Sequence, residues 1–206
     1  MVESLLDKLK AFQLTRRSRR ENLIVLMKDL EQKDHSCRDC IGVCCTVEAN
    51  SMQIDLAQAL DIYLFLIAND LFDIDQLNQN IETFRLDKFL GNSGKSLRRY
   101  YTCPFYLGEK KGCQISRKSK PYGCLGFNAI GVGVTQGQNC KSYTDNLKHR
   151  EQKHASLDYN FNQFLVSEFG LIDDKRPIPI KVLEVHHAIG HNFNRENCQK
   201  LLSEMN

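Results

Sequence analysis

The apolar residues of the chain recur mostly with the period of an amphipathic helix. Residues 1–32 carry two such apolar stripes, and a nearly continuous apolar stretch runs from Leu56 to about Ala68. Asp55 precedes that stretch and is a good N-cap, because its carboxylate can accept a hydrogen bond from a backbone N–H of the first turn. The pattern predicts helices over both segments.

The helical period returns in the rest of the chain and predicts further helices. They cover Asp75 to about Leu90, Thr144 or Asp145 to about Phe169, Ile180 to Ile189, and a short C-terminal stretch. Glycines at 91 and 170 end the first two of these, and Pro177 and Pro179 precede the third.

Between Leu97 and Cys140 the helical period is lost. Aromatic residues, glycines and short apolar pieces replace it, and the segments on either side of Gly108–Gly112 suit a hairpin or a pair of short extended pieces. The expected fold is therefore mainly α: a helical domain around an irregular cysteine-rich centre with a few short strands.

Composition is that of an ordinary globular protein, with 42% hydrophobic and 26% charged residues. The first residues lack the charged and apolar regions of a secretory signal, and the longest apolar run is shorter than the about 20 residues that span a bilayer. We therefore expect a soluble, cytoplasmic protein with no membrane partner. The net charge of +3 is too small to indicate nucleic acid by itself.

The chain contains nine cysteines, an unusually high number for a protein of this kind. Thiols in a reducing cytosol do not persist as structural disulfides, so a cysteine-rich pattern there points to metal binding or redox chemistry. Eight of them form two groups of four and are the candidate metal ligands: Cys37, Cys40, Cys44 and Cys45, then Cys103, Cys113, Cys124 and Cys140. Cys198 is left over, and we interpret it as a small buried hydrophobic residue.

Spacing supports a metal but does not choose one. Zinc holds four sulfurs at about 2.3 Å, which places them about 3.8 Å from one another, and a C-x-x-C turn brings two sulfurs that close. A cubane iron–sulfur cluster also takes four thiolates from short spacings. Cys44 and Cys45 are adjacent, so their side chains are expected to diverge and to serve two centres, or one centre and a redox role. Two four-sulfur sites, or one site with spare cysteines, are both compatible with the sequence.

Basic residues surround the second group of cysteines. Eight lie between Lys95 and Lys120, with Glu109 as the one acid. Such cations would offset thiolate charge and lower the thiol pKa values. The rival interpretation, ranked second, is a nucleic-acid surface with Tyr100, Tyr101 and Tyr106 for stacking.

Two other polar features receive structural interpretations. We interpret the isolated basic run at 16–20 as a solvated helix face or a helix–helix junction rather than an RNA or DNA contact. His187 and His191 lie four residues apart on a predicted helix but lack the glutamate of a zinc-protease motif, so we interpret them as surface or helix-end residues.

The cysteine segments resemble the YkgJ-like CxxCxxCC family, described as zinc- or iron-chelating. Cys37-x2-Cys40-x3-Cys44-Cys45 is similar to its opening motif with one extra residue. The pieces that begin at Cys103, Cys113 and Lys120 are similar to its second segment, with Lys120 and Leu125 where arginines are usual. The resemblance covers about residues 37–127. A bacterial flagellin lysine methylase carries a similar cysteine motif, although this chain has no glycine-rich nucleotide loop after a strand.

These observations predict a metal-binding cysteine-cluster protein in which the metal organises the fold. Zinc is preferred over iron or an iron–sulfur cluster, because closed four-thiolate sites are commonly structural. The alternatives are an iron or iron–sulfur enzyme related to flagellin lysine N-methylase, and a zinc-stabilised nucleic-acid-binding protein; a protein partner is also compatible with the sequence. We expect an N-terminal helical segment (1–34), a cysteine-rich metal-binding domain with inserted helices (35–143), and a C-terminal helical segment packing on it (144–206).

Overall fold

The computed structural model of the chain describes residues 2–32, 42–89, 99–108, 111–129, 140–142 and 144–204. Within some helices it describes the backbone alone for part of the residues. Among the described helices, none has the length and apolar character that crossing a membrane requires.

The predicted mainly α fold is confirmed. The described residues form these α-helices: α1 (Val2–Gln32), α2 (Leu56–Ala68), α3 (Ile74–Phe84), α4 (Tyr122–Leu125), α5 (Thr144–Phe169), α6 (Ile178–Ile189) and α7 (Arg195–Glu204). Short 3-10 turns cover Val43–Cys45, Leu86–Phe89 and Gly190–Asn192.

Short antiparallel strands join distant parts of the chain. The strand β1 (Gln53–Ile54) pairs with β4 (Arg176–Pro177), and β2 (Phe127–Ala129) pairs with β3 (Cys140–Ser142). Around the predicted hairpin at residues 108–112, the described residues form an antiparallel bridge between Tyr106 and Cys113.

Helix α2 lies at the centre of the fold. Asp55 is its N-cap as predicted, and the carboxylate accepts a hydrogen bond from the Gln58 backbone N–H at 2.9 Å. Nearly every side chain of α2 is buried, as expected of a helix that is apolar on all sides, and α5, α6 and α7 pack around it. One hydrophobic core joins residues of all three predicted segments, including Leu9, Leu60 and Leu165.

Two helix boundaries differ from the sequence prediction. Helix α3 ends at Phe84 rather than near Leu90, because Arg85 adopts the left-handed conformation with φ 50°. Helix α6 begins at Ile178 rather than Ile180. Its early start is tolerated because Pro179 lies in the first turn, where a missing backbone N–H removes no helical hydrogen bond.

A buried ionic network attaches α1 to the other helices. Arg16 is 2% exposed and donates hydrogen bonds from Nε to Asp158 Oδ1 at 3.0 Å and from Nη2 to the Tyr122 hydroxyl at 3.1 Å. Both Arg16 and Arg20 form ion pairs with Asp61, at 3.2 and 2.6 Å. The interpretation of the basic run as a helix–helix junction is therefore confirmed for these two arginines.

Candidate metal centre

The backbone brings the first and second cysteine groups side by side. The Cys103 N–H donates to the carbonyl oxygen of Cys45 at 2.8 Å, and the Tyr101 N–H donates to that of Asn50 at 2.9 Å. The chain then turns so that the Tyr106 N–H donates to the Cys103 carbonyl at 3.1 Å, and Tyr106 forms its bridge with Cys113. Three candidate ligands from two distant segments thus share one small region.

Cys124 is added by α4, which is anchored on the helical core. The Tyr122 N–H donates to Gln58 Oε1 at 3.0 Å, and the Tyr122 hydroxyl accepts from Arg16. Gly123 packs against Met52 so closely that a Cβ at this glycine would lie 2.7 Å from the Met52 Cε. The position of Cys124 is therefore set by contacts with α1, α2 and the segment before β1.

Four thiols lie within range of one another's charge. Burial raises the pKa of Cys103, and the neighbouring thiols Cys113, Cys124 and Cys45 raise it further. The pKa of Cys124 is raised to about 12, first by burial and then by Cys113 and Cys45. Burial also raises the pKa of Cys113, with Cys45 contributing in the same direction. With pKa values raised in this way, Cys103, Cys113 and Cys124 are neutral thiols at pH 7.

Cys44 lies beside this group, contrary to the expected divergence of the adjacent pair. The two residues belong to the 3-10 turn Val43–Cys45, and their Sγ atoms are 4.0 Å apart. In a tetrahedral site, neighbouring sulfurs are about 3.8 Å apart, which is close to this separation. One metal ion can therefore bind both thiols, or either one of them.

The remaining cysteine predictions have different outcomes. Cys37 and Cys40 lie outside the described residues, and Cys140 is described by its backbone, which pairs with Ala129 in the β2–β3 ladder. Cys198 is fully buried in the helical core, which confirms its interpretation as a small hydrophobic residue.

The described residues test the fit of a metal in two ways. The donor chemistry suits a thiophilic ion, because four thiols from three segments lie within range of one another's charge. The distances are longer than those of a metal-binding site. Within the described ranges, no three histidine, cysteine or acidic side chains lie close enough together to hold an ion. A bound ion would therefore require the thiols to move closer together, or a contribution from cysteines outside those ranges.

Among the described residues, Lys120 is a basic residue whose charge acts on two of these thiols. Its charge lowers the pKa of Cys113 and of Cys124, which opposes the larger effect of burial. In the sequence it is one of eight cations around the cysteines, of which Lys111 and Lys118 are solvent-exposed.

Replacing Lys120 with methionine should weaken zinc binding about tenfold, because the loss of a neighbouring cation raises the pKa of two thiols further. The exposed Lys111→Met variant is the matched control and should bind as the parent does. Competition with a chromophoric chelator measures both affinities. Equal losses in the two variants would contradict a specific role for Lys120.

Gly42 and Tyr106 form a contact that the sequence did not indicate. Gly42 has φ 76°, and a Cβ at this position would lie 2.4 Å from Tyr106 Cε2, so the ring covers the turn that leads into the first cysteine pair. The sequence suggested a stacking role for Tyr106, but no local signal relates it to Gly42, which lies in a distant segment of the chain.

A Gly42→Ala substitution should lower the free energy of unfolding by about 2–4 kcal/mol, since it combines a strained φ with a clash against the ring. Gly108→Ala is the control, because Gly108 also has a positive φ of 95°, but no atom of the described residues lies within 4 Å of the position that an added methyl group would take. Its loss should be about 1 kcal/mol. Chemical denaturation compares the two, and equal losses would show that the contact with Tyr106 contributes nothing.

The tyrosines give little support to a nucleic-acid surface. Tyr101 is fully buried; its hydroxyl donates to the Met52 carbonyl at 2.6 Å and accepts from the Ile178 N–H at 3.1 Å. Tyr106 covers Gly42, whereas Tyr100 is 57% exposed. The suggestion that all three could stack on bases is therefore wrong for Tyr101.

His186 and His187 lie in the last turn of α6, and His191 lies in the 3-10 turn that follows it. His186 Nδ1 is 3.2 Å from the Tyr63 hydroxyl at the packed end of α6, while His187 and His191 are exposed. This confirms the interpretation of His187 and His191 as surface or helix-end residues.

No family model matches the chain, and searches of curated proteins and of solved structures give no match either. The resemblance to the YkgJ-like family therefore rests on the cysteine segments themselves, and the site has to be interpreted from its own geometry.

Proposed function

We propose that this protein binds a metal ion through cysteine thiolates, with Cys45, Cys103, Cys113 and Cys124 at the centre of the site. The observation that carries the proposal is the grouping of these four thiols, each close enough to affect the pKa of another. Zinc is the preferred ion, and iron or an iron–sulfur cluster is the alternative, because all of these accept four thiolates.

Burial and charge favour a cation at this position. A buried neutral thiol needs no partner, and several can lie in one region. Once they lose their protons, however, the thiolates repel one another unless a cation lies between them. A divalent ion supplies that charge, and Lys120 adds to it. Cys44, together with Cys37 and Cys40 a few residues earlier in the sequence, provides further candidate donors.

The proposed role of the metal is to organise the centre of the fold. The four thiols come from three segments: the turn Val43–Cys45, the bridged segment from Cys103 to Cys113, and helix α4. An ion shared among these segments would connect them directly, and its binding free energy would add to the stability of the folded state. The proposal places the protein in the cytoplasm, where thiols stay reduced.

Zinc affinity should rise steeply with pH. Burial raises the pKa of Cys103 and Cys113, and that of Cys124 to about 12, so these groups are protonated at neutral pH and must release protons when they bind an ion. The apparent affinity should increase by up to about tenfold per pH unit for each proton released. Chelator competition between about pH 6 and pH 8 measures this slope.

The Cys198→Ala variant is the control for that experiment, because Cys198 lies in the helical core and should not affect the slope. A zinc affinity that does not change with pH would mean that the ligands are not thiols, and the proposal would fail.

A further inference from the structure

A cavity of about 350 Å³ lies between several elements outside the cysteine centre. Its walls come from α1, the end of α2, α7, and the connector between Cys113 and Cys124. Exposed residues of α1 and α7, among them Arg17 and Ser203, line it, so the cavity opens to solvent. Its volume falls in the range of about 300–1,000 Å³ that small-molecule sites occupy.

The lining has an apolar part and a basic part. Ile24, Phe65 and Leu202 provide apolar surface from three different helices. Arg17 and Lys118 add cationic groups at the exposed side. Glu21 is the acidic residue among the described lining residues, and it pairs with Arg17 at 2.6 Å. Apolar surface beside cationic groups is suited to a ligand with an anionic head and an apolar body.

Arg20 gives a second, independent indication of an anion. It lines the same cavity, is 7% exposed, and uses Nη2 to pair with Asp61 at 2.6 Å. Its Nε is buried and has no hydrogen-bond partner among the described residues. Besides Asp61, which it shares with Arg16, Nη2 donates to the Lys120 carbonyl oxygen at 3.4 Å, so Nε is the buried atom of this guanidinium for which the described residues supply no acceptor. A negative charge nearby would lower the cost of burying this group.

We propose that this cavity binds a small amphipathic anion, with its carboxylate or phosphate head near Arg17 and Lys118 and its apolar body against Ile24, Phe65 and Leu202. The site is separate from the cysteines and does not depend on a metal. Because Ser116, Lys118 and Ser119 form one wall, the ligand would contact the connector that joins two of the proposed metal ligands.

Isothermal titration calorimetry with octanoate tests the proposal on the full chain. Octanoate should bind at least about tenfold more tightly than acetate, which lacks the apolar body, or 1-octanol, which lacks the charge. Octyl phosphate is titrated in parallel: tighter binding than octanoate identifies a phosphate head, and the reverse order identifies a carboxylate. Either order supports the proposal.

Variants locate the binding within the molecule. The double variant Arg17→Gln, Lys118→Gln should bind octanoate about tenfold more weakly, whereas Lys28→Gln, an exposed charge on the same helix outside the cavity lining, should not change binding. Ser203→Phe places a ring into the open side from an exposed position and should abolish binding with an unchanged melting temperature.

Two results would overturn the proposal. One is the absence of octanoate and octyl phosphate binding in the parent protein. The other is octanoate binding that Ser203→Phe leaves intact, since the ligand would then lie elsewhere. Both results leave the metal proposal untouched, because neither depends on the cysteines.

Discussion

Replacing Arg16 with methionine is expected to destabilise the protein by about 3–5 kcal/mol. Burial lowers the pKa of Arg16, but Asp61, Tyr122 and Asp55 together raise it by more, so the net shift is upward and the guanidinium stays charged. It contacts Asp61, Asp158 and the Tyr122 hydroxyl at once. Removing it leaves two buried carboxylates and only the positive charge of Arg20 to compensate them. The apolar methionine cannot offset the free-energy cost of keeping the second carboxylate charged and buried.

Urea denaturation of the Arg16→Met variant measures this loss. Arg17→Gln is the matched control on the next residue: its ion pair with Glu21 is exposed and should contribute less than about 1 kcal/mol. A second substitution, Asp158→Leu, should recover part of the loss in the Arg16→Met background, because it removes a buried carboxylate that has lost its ion pair with Arg16. A loss in Arg16→Met no larger than in the control would show that the network does not stabilise α1.

Replacing Cys103 or Cys113 with serine is expected to remove most of the bound metal. A thiophilic ion binds a hydroxyl far more weakly than a thiolate, so a site that loses one of its central donors should release the ion during dialysis. The metal-bound parent gains about 3–4 kcal/mol of stability at free metal 100 to 1,000 times the Kd, and the variants should lack that gain. Elemental analysis and thermal unfolding measure the two effects.

Cys198→Ala is the control for these substitutions. It removes a buried thiol of the helical core, so any loss of stability should come without a loss of metal. If Cys103→Ser and Cys113→Ser keep the metal content of the parent, these residues are not ligands, and the proposed centre is wrong.

Helices were the part of the fold that the sequence predicted well. The stripe and N-cap signals are local, and α2 and α5 appear within the predicted bounds. The predicted end of a helix was wrong where the backbone conformation of one residue ends the helix. Nothing in the apolar pattern around Arg85 indicates that its backbone turns left-handed and ends α3 before Leu90.

Most contacts between distant segments could not be predicted from the sequence. The run at 16–20 suggested a junction, but its partners Asp61 and Asp158 lie 45 and 142 residues from Arg16 and carry no signal that relates them to it. The cysteines were recognised from their number and spacing. Which of them come together depends on backbone pairing such as that between Cys45 and Cys103, and this required the structure.

The elemental content of protein purified without oxygen and without a metal-affinity column shows whether the cysteines hold a metal. We expect at least one equivalent of zinc, or of iron with acid-labile sulfide, that remains bound through dialysis and is lost in Cys103→Ser. Iron with visible absorbance would make the alternative of an iron or iron–sulfur enzyme the leading one. Neither metal at appreciable occupancy would contradict the proposal that the cysteines form a metal site.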